Sequence, residues 1–255
     1  MPSQSAQHLE NLGANMNITP EMIHDLDTHG FTIVHDVVSF EQLESMRQTI
    51  DRLVEKEGEQ LAIEHHQEDS VTRIANLINK GAIWDNVWAH PLVLAACQHI
   101  FKGDFKISSL NAREAHPGGG HQSLHADWKK PRPDFPKVHL VNALWAIDEL
   151  SAENGAPRII PGTHLYRDLP EDVLSDIDSP HPEEVFFECP AGSVMIFNAH
   201  TWHGGTVNKI GARRRVLHGL YIDRMDVPQQ DQKKWYTAET DERLTTSQKW
   251  LLDVL

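Results

Sequence analysis

The chain has only two cysteines, Cys97 and Cys189, among its 255 residues. That excludes a disulfide framework and a cysteine-rich zinc site. Basic side chains are also scarce, with 23 Lys and Arg against 37 Asp and Glu for a formal net charge of −14. A broadly basic surface for nucleic acid or an anionic membrane is therefore excluded, while a local basic patch stays compatible. No apolar run approaches the roughly 18 residues of a membrane span. The opening MPSQSAQHLENLG lacks the basic start and apolar centre of a secretory leader. The closing LLDVL is not the peroxisomal Ser-Lys-Leu address. There is no internal repeat and no low-complexity segment. A Gly-x-Ser-x-Gly nucleophile turn and a dinucleotide-binding Gly-x-Gly-x-x-Gly are both missing. The remaining composition, 40% hydrophobic and 24% charged, is that of a globular protein. The expectation is a cytoplasmic protein, monomer or homodimer, whose partner is a small molecule and neither nucleic acid nor membrane.

Local signals divide the chain into two textures. Thr19-Pro20-Glu21 predicts a helix start, with a capping residue, a first-turn proline and an acid at the positive helix end. Gly30 should stop that helix, and β-branched Phe31–Val38 reads as a strand. Ser39 to Gln42 has capping-box spacing. It should open a helix with the apolar stripe Leu43, Met46, Ile50, Leu53 and Val54. Pro91–Phe101 predicts another helix. From Lys106 onward short strands are expected at Ile107–Ala115, Val138–Ile147, Val185–Cys189, Val194–Asn198 and Val216–Ile222. Turn signals separate them at Pro117–Gly120, Glu153–Gly155, Pro161-Gly162 and Pro190–Gly192. Regularly spaced short strands with such turns point to an all-β sandwich or barrel. A last helix is expected over Ser247–Leu255, its apolar end packing on the core. The expected organisation is a single domain over 1–255: a helical support layer with a barrel-edge strand (1–105), a β core (106–224) and a C-terminal tail with a helix (225–255).

Histidine is abundant, with 17 residues, and is concentrated where chemistry is easiest to build. One stretch runs His116-Pro117-Gly118-Gly119-Gly120-His121-Gln122-Ser123-Leu124-His125-Ala126-Asp127. A second runs His200-Thr201-Trp202-His203-Gly204-Gly205. On a strand, His125 and Asp127 point to one face, so an imidazole and a carboxylate can take adjacent positions on a metal. One further histidine from the second stretch would complete a 2-His-1-carboxylate face, which leaves open positions for a cosubstrate and oxygen on Fe(II). His-x-Asp alone recurs by chance, and zinc also accepts His and Asp. His121 and His125 have the helical zinc spacing, but the preceding glycines and proline argue against a helix there. His116, His121 and His200 read as loop or supporting residues.

Four pieces of sequence resemble the phytanoyl-CoA dioxygenase family of Fe(II)/2-oxoglutarate-dependent oxygenases over about Ser109 to Asp223. They are His125-Ala126-Asp127-Trp128; Trp145 through Asn154-Gly155; Pro161-Gly162-Thr163-His164; and His203-Gly204-Gly205-Thr206-Val207-Asn208 followed by Arg213-Arg214-Arg215. The resemblance implies a mainly β fold with a helical layer: a double-stranded β-helix, the cupin-like jelly-roll barrel of eight strands, supported by the N-terminal helices. It implies His125, Asp127 and His203 as catalytic iron ligands. His203 is preferred over His200 because a Gly-rich turn and Asn208 follow it. The family arginine that holds the distal carboxylate of 2-oxoglutarate falls on Arg214, with Arg213 and Arg215 as neighbours that could trade places with it. A guanidinium suits that task because it pairs bidentately and keeps its charge. If Arg214 points inward, Arg213 and Arg215 should be a solvated outer pair. Asn142 falls where relatives place a polar cosubstrate contact. Trp145 and Trp128 line the cavity or fill the core. Asn208 shapes the turn. Gly205 is a departure, since many relatives carry serine there, and Thr206 or a backbone group would have to substitute.

The implied reaction uses Fe(II), 2-oxoglutarate and O2, releases succinate and CO2, and oxidises a C–H bond of a small-molecule or natural-product substrate. Hydroxylation is the expected outcome. Related halogenases replace the carboxylate ligand with a small residue, so Asp127 argues against halogenation. The alternatives are a zinc- or iron-containing barrel acting as a hydrolase, or one acting as a non-catalytic binding module. The stretch Lys129 to Lys137, with four bases and three prolines, reads either as a cationic lip for an anionic substrate or as a solvated loop on an acidic surface.

Overall fold

A computed structural model describes residues 4–14, 18–62, 69–129 and 132–255. The helices are α1 (Gln4–Asn11), α2 (Pro20–Thr28), α3 (Phe40–Glu57), α4 (Asp85–Trp88), α5 (Pro91–Phe101), α6 (Pro170–Val173), α7 (Gln232–Trp235), α8 (Ala238–Arg243) and α9 (Thr246–Leu251). The strands are β1 (Phe31–Val34), β2 (Val71–Ile74), β3 (Phe105–Ala115), β4 (Leu140–Ala146), β5 (Arg158–Ile159), β6 (Val185–Phe186), β7 (Val194–Asn198), β8 (His203–Gly204) and β9 (Arg215–Asp223). Among the described residues no helix is long and apolar enough to cross a membrane.

The helix starts follow their capping chemistry. Thr19 Oγ1 accepts from the Met22 N–H. Ser39 Oγ accepts from the Gln42 N–H while Gln42 Oε1 accepts from the Ser39 N–H, the reciprocal pair of a capping box. Leu43, Met46 and Ile50 are buried, and Leu53 and Val54 are half-buried against the same cluster. Each fully buried side chain of this kind contributes about 1.5–3 kcal/mol.

All strand pairs are antiparallel. A six-stranded sheet runs β1-β7-β4-β9-β3-β2, and a three-stranded sheet runs β6-β5-β8. Period-two alternation gives the large sheet two distinct faces. On β4, Val141, Ala143 and Trp145 join Leu110 and Ala112 of β3 and Leu217 and Tyr221 of β9 in the cluster that also holds residues of α3, α5 and α9. The opposite face carries Leu144, Ala146, Met195, Phe197 and Val216, which pack with Ile159 of the small sheet. The two sheets thus face each other as a jelly-roll with helices on one outer side. One end of the space between them is filled by this apolar cluster, and the other opens into a cavity of mixed polar and apolar lining.

Three strand expectations change. β1 ends at Val34 because Asp36 adopts φ 55° and the Val37 and Val38 N–H groups both turn to the Gly192 carbonyl. Val185–Cys189 pairs only over Val185 and Phe186, after which Cys189 forms a single bridge to Leu150. β2, β5 and β8 were not anticipated: each is four residues or fewer, too short to show a period.

Candidate functional site

His125 and Asp127 do not lie on a regular strand. His125 forms an isolated bridge to His203, with reciprocal N–H···O bonds of 2.9 Å. Asp127 is tied separately, its N–H donating to the Ala199 carbonyl at 2.9 Å. The backbone is nonetheless extended enough to alternate. Leu124, Ala126 and Trp128 are buried in apolar clusters, while His125 and Asp127 face the cavity between the sheets.

The Pro161–His164 and Asn154-Gly155 motifs explain how His203 is held. Thr163 Oγ1 accepts from the Trp202 N–H at 2.8 Å and donates to the Ile160 carbonyl at 2.7 Å, pinning the backbone just before His203. Asn154 braces its own turn through the Ser151 N–H and the Glu149 carbonyl. Gly155, at φ 93°, leaves no room for a side chain beneath the Thr206–Asn208 backbone. Asn208 shapes the turn as expected, donating to the Ala115 and Ala212 carbonyls and accepting from the Gly211 N–H. A Cβ at Gly205 would strike the Gly120 carbonyl, so the departure from serine follows from how closely the 118–120 loop passes.

His125, Asp127 and His203 offer ligand atoms that all lie within 4.8 Å of one another. His125 Nε2 and His203 Nε2 stand 3.7 and 3.5 Å from Asp127 Oδ1. Both tautomers follow from the bonds on the far side of each ring. His125 Nδ1 faces the Ser123 carbonyl at 2.8 Å and His203 Nδ1 the Thr201 carbonyl at 2.9 Å. A carbonyl can only accept, so each Nδ1 carries a proton, and each Nε2 points toward the carboxylate. Three electron-rich atoms therefore converge and need a positive charge among them. Burial pushes the Asp127 carboxyl up, but the His203 charge and hydrogen bonds from both rings outweigh this and hold it well below its usual range. Burial pushes His203 down, and Asp127 more than reverses that. A divalent cation would satisfy all three atoms at once, with the backbone carbonyls fixing both imidazoles as outer partners typically do.

Arg214 reaches the same cavity from the start of β9. Its guanidinium makes no hydrogen bond or ion pair among the described residues, and its Nε is buried without a partner. Burial, then the neighbouring Arg113, pushes it down to about 9. An unpaired buried cation beside three metal-ligating groups fits an anionic ligand that spans both. Asn142 also faces the cavity. Its Nδ2 donates to Asp127 Oδ2 at 3.2 Å, and its Oδ1 is buried without a partner.

Of the other expectations, some are corrected and some resolved. Trp145 does not reach the cavity: it lies on the helical face of β4, its ring edge-on to His90. Three residues along a strand reverse the side, so Asn142 and Trp145 point oppositely. Trp128 is buried in an apolar cluster and stacks on His139 at 4.2 Å. His200 is buried behind the site, accepting the His139 N–H at 3.2 Å. Of Arg213 and Arg215, expected as a solvated outer pair, Arg213 is exposed but Arg215 is buried. Arg213 holds both Glu114 oxygens at 2.6 Å, and buried Arg215 clamps Asp148 at 2.7 and 2.8 Å. Most of the described bases of the Lys129–Lys137 stretch are held by partners within the fold. Arg132 is buried on the Tyr166 and Lys137 carbonyls, Lys137 pairs with Asp223, and Lys130 lies outside the described residues. Among the described residues of that stretch only Lys129 lines the cavity, with Glu171 of α6 on the same lining.

The cavity is about 610 Å³, within the range of small-molecule sites. Sequence reasoning missed several of its walls: Arg73, Gln122, His218, Gln229 and the β3 row Ser109, Asn111 and Arg113. The β3 row was visible as polar alternation against Leu110 and Ala112. Arg73 sits on a strand too short to foresee.

Comparison with known proteins agrees with this geometry. The family model for phytanoyl-CoA dioxygenase matches residues 26–216. A protein named dioxygenase aneA from Aspergillus aculeatus is 30% identical over 142 residues, covering 52% of this chain and 45% of its own length. Dioxygenase trt7 from Aspergillus terreus is 27% identical over 209 residues, covering 75% of this chain and 69% of its own. The matched stretch thus spans less than half of the A. aculeatus protein. Among solved structures, HygX from Streptomyces hygroscopicus with nickel and 2-oxoglutarate bound superposes with a TM-score of 0.67 at 16% identity, over 84% of this chain and 90% of that one. The non-haem α-ketoglutarate-dependent carbocyclase SnoK from nogalamycin biosynthesis gives 0.65 at 20% identity, over 81% and 85%. At such identities the likeness is one of fold.

Proposed function

The chain belongs to the phytanoyl-CoA dioxygenase family, and from that premise we propose that it is a non-haem Fe(II)/2-oxoglutarate-dependent dioxygenase that oxidises a C–H bond of a small natural-product substrate. The observation that carries this reading is the placement of the His125, Asp127 and His203 ligand atoms and the unpaired Arg214 guanidinium in one cavity. His125, Asp127 and His203 would hold the iron on one side and leave its cavity side for cosubstrate. Bound iron supplies the redox chemistry that couples O2 and decarboxylation of 2-oxoglutarate, giving succinate and CO2, to oxidation of the substrate. Arg214 holds the distal carboxylate of 2-oxoglutarate. Asn142 keeps Asp127 turned toward the two imidazoles and has its own amide oxygen left to meet a ligand.

The protein's remaining work is positional. Leu124, Leu144, Ile177 and Leu220 line the cavity with apolar surface, which excludes water and holds a substrate scaffold beside the metal face. Hydroxylation is the expected outcome, because Asp127 fills the ligand position that a halide would need. The described residues of the 129–137 stretch give little support to an anionic substrate, since among them Lys129 alone lines the cavity and Glu171 offsets it. The small-molecule reading is supported by HygX, a fold neighbour whose structure was also determined with hygromycin B bound.

The test is succinate formation from 2-oxoglutarate with Fe(II) and O2, together with metal analysis of anaerobically purified protein. Asp127→Ala should reduce succinate to background, whereas full turnover in that variant rejects the assignment. Stoichiometric zinc with no 2-oxoglutarate turnover would select the hydrolase reading.

A further inference from the structure

The far wall of the cavity contains a polar group whose orientation is dictated step by step from the backbone. The Asn76 N–H donates to Asn111 Oδ1 at 3.1 Å. A backbone N–H can only donate, so the Asn111 amide is fixed with its Nδ2 directed outward. That Nδ2 donates to Gln229 Oε1 at 3.2 Å, and Ser109 Oγ donates to the same oxygen at 2.7 Å. Gln229 Oε1 is thereby saturated and its Nε2 is the free end. Nε2 has no partner among the described residues, and Gln229 is exposed on the cavity lining.

The segment carrying Gln229 is held as firmly as its side chain. Register shifts between Ile107 and Ser109 in the β3–β9 pairing, so Ser108 is an extra residue without a partner on β9. Ser108 receives the following chain instead. Its Oγ accepts from the Gln229 N–H at 2.6 Å, and its carbonyl accepts from the Gln230 N–H at 3.3 Å and from Gln232 Nε2 at 3.4 Å. Next to this, His218 is the cross-strand partner of Asn111 and lines the same wall, with no hydrogen bond on its ring among the described residues. Burial and the charges of Arg73 and Arg113 hold that imidazole well below its usual range, so it is neutral.

We propose that Gln229, oriented by the Asn76–Asn111 and Ser109 hydrogen bonds, is a substrate-recognition residue that donates from Nε2 to a carbonyl oxygen on a largely apolar substrate. This rests on the dioxygenase reading and adds the substrate's polar handle to it. The polar end of the wall fixes that handle, while Leu144, Leu220 and Ile177 accommodate the scaffold. Preorganisation makes the contact selective: both donors on Oε1 resist an amide flip, so an oxygen acceptor is taken and a donor or methylene at that point is refused.

The test is equilibrium dialysis of the protein, loaded with 2-oxoglutarate and Mn(II), against a panel of rigid alicyclic ketones. Each ketone is paired with the counterpart in which an exocyclic methylene replaces the oxygen. Wild type should bind the preferred ketone up to about tenfold more tightly than its methylene partner, the net worth of one well-oriented hydrogen bond. Gln229→Leu should abolish that ratio. Gln229→Glu keeps an oxygen for Ser109 and Asn111 but turns the free end from donor to acceptor, and should reverse the preference toward the matching alcohols. Equal binding of ketone and methylene partners by wild type, including no binding of either, overturns the proposal, as does an unchanged ratio in both folded variants. The Fe(II)–2-oxoglutarate absorption of wild type is read in parallel. Its absence would reject the dioxygenase reading and leave the ligand preference standing as a separate result.

Discussion

Replacing Arg214 with methionine should stabilise the free protein and cripple cosubstrate binding, two effects of opposite sign from one substitution. A guanidinium pushed down to about 9 by burial and by Arg113 costs the folded state on the order of several kcal/mol to keep charged. The folded-state value lies below the unfolded one, so the penalty is fully present near neutral pH and declines as pH rises through about 9. Exchanging a buried charge for an apolar side chain of similar volume typically recovers ~1–4 kcal/mol. For a chain of this size each kcal/mol raises Tm by roughly 2–4 °C. On the proposed role, 2-oxoglutarate compensates the charge in wild type, and losing that buried pair should cost ~2–5 kcal/mol, about 30-fold to several thousand-fold in Kd. Thermal melts with and without 2-oxoglutarate, and calorimetric titration, measure both effects. A variant that melts below wild type without ligand, yet gains as much from 2-oxoglutarate, would refute the assignment of Arg214 as the carboxylate's counter-charge.

Thr163→Val strands the Trp202 N–H in a buried site and should cost ~1–3 kcal/mol; a matched fall in metal affinity, read by titration with Mn(II), would show that Thr163 acts through His203. Gly205→Ser places a Cβ against the Gly120 carbonyl and should lower Tm while weakening 2-oxoglutarate binding, and a variant as stable as wild type would show that the loop yields. The Asp127 carboxylate holds His203 above its usual value, and a metal must displace the proton on that imidazole; apparent Mn(II) affinity should therefore fall as pH drops through that value, about tenfold per unit below it, and a flat profile between pH 8 and 6 (roughly the range where histidines titrate) would contradict the raised imidazole.

Much of the architecture was legible because the signals are local. Thr19 and Ser39 cap the helices that their spacing announces, and β7 spans Val194–Asn198 as its β-branched run suggests. The convergence of His125, Asp127 and His203 was legible because the surrounding motifs have structural duties: Thr163 pins the backbone at Trp202, and Gly155 admits the loop behind His203. What was missed depends on distant partners or on parity. Arg215 looks solvated until Asp148 is brought beneath it from 67 residues away. Arg132 looks like an open cation until the chain folds its own carbonyls around it. Trp145 was a different kind of error, because its odd spacing from Asn142 already placed the two on opposite faces of β4.

The most direct measurement is the visible absorption of protein given Fe(II) and 2-oxoglutarate under strict exclusion of oxygen. A weak charge-transfer band should develop only when both are present, and it should be absent in Asp127→Ala and strongly reduced in Arg214→Met at equal ligand concentrations. Stoichiometric iron binding with no band on adding 2-oxoglutarate would contradict the placement of metal and cosubstrate in this one cavity.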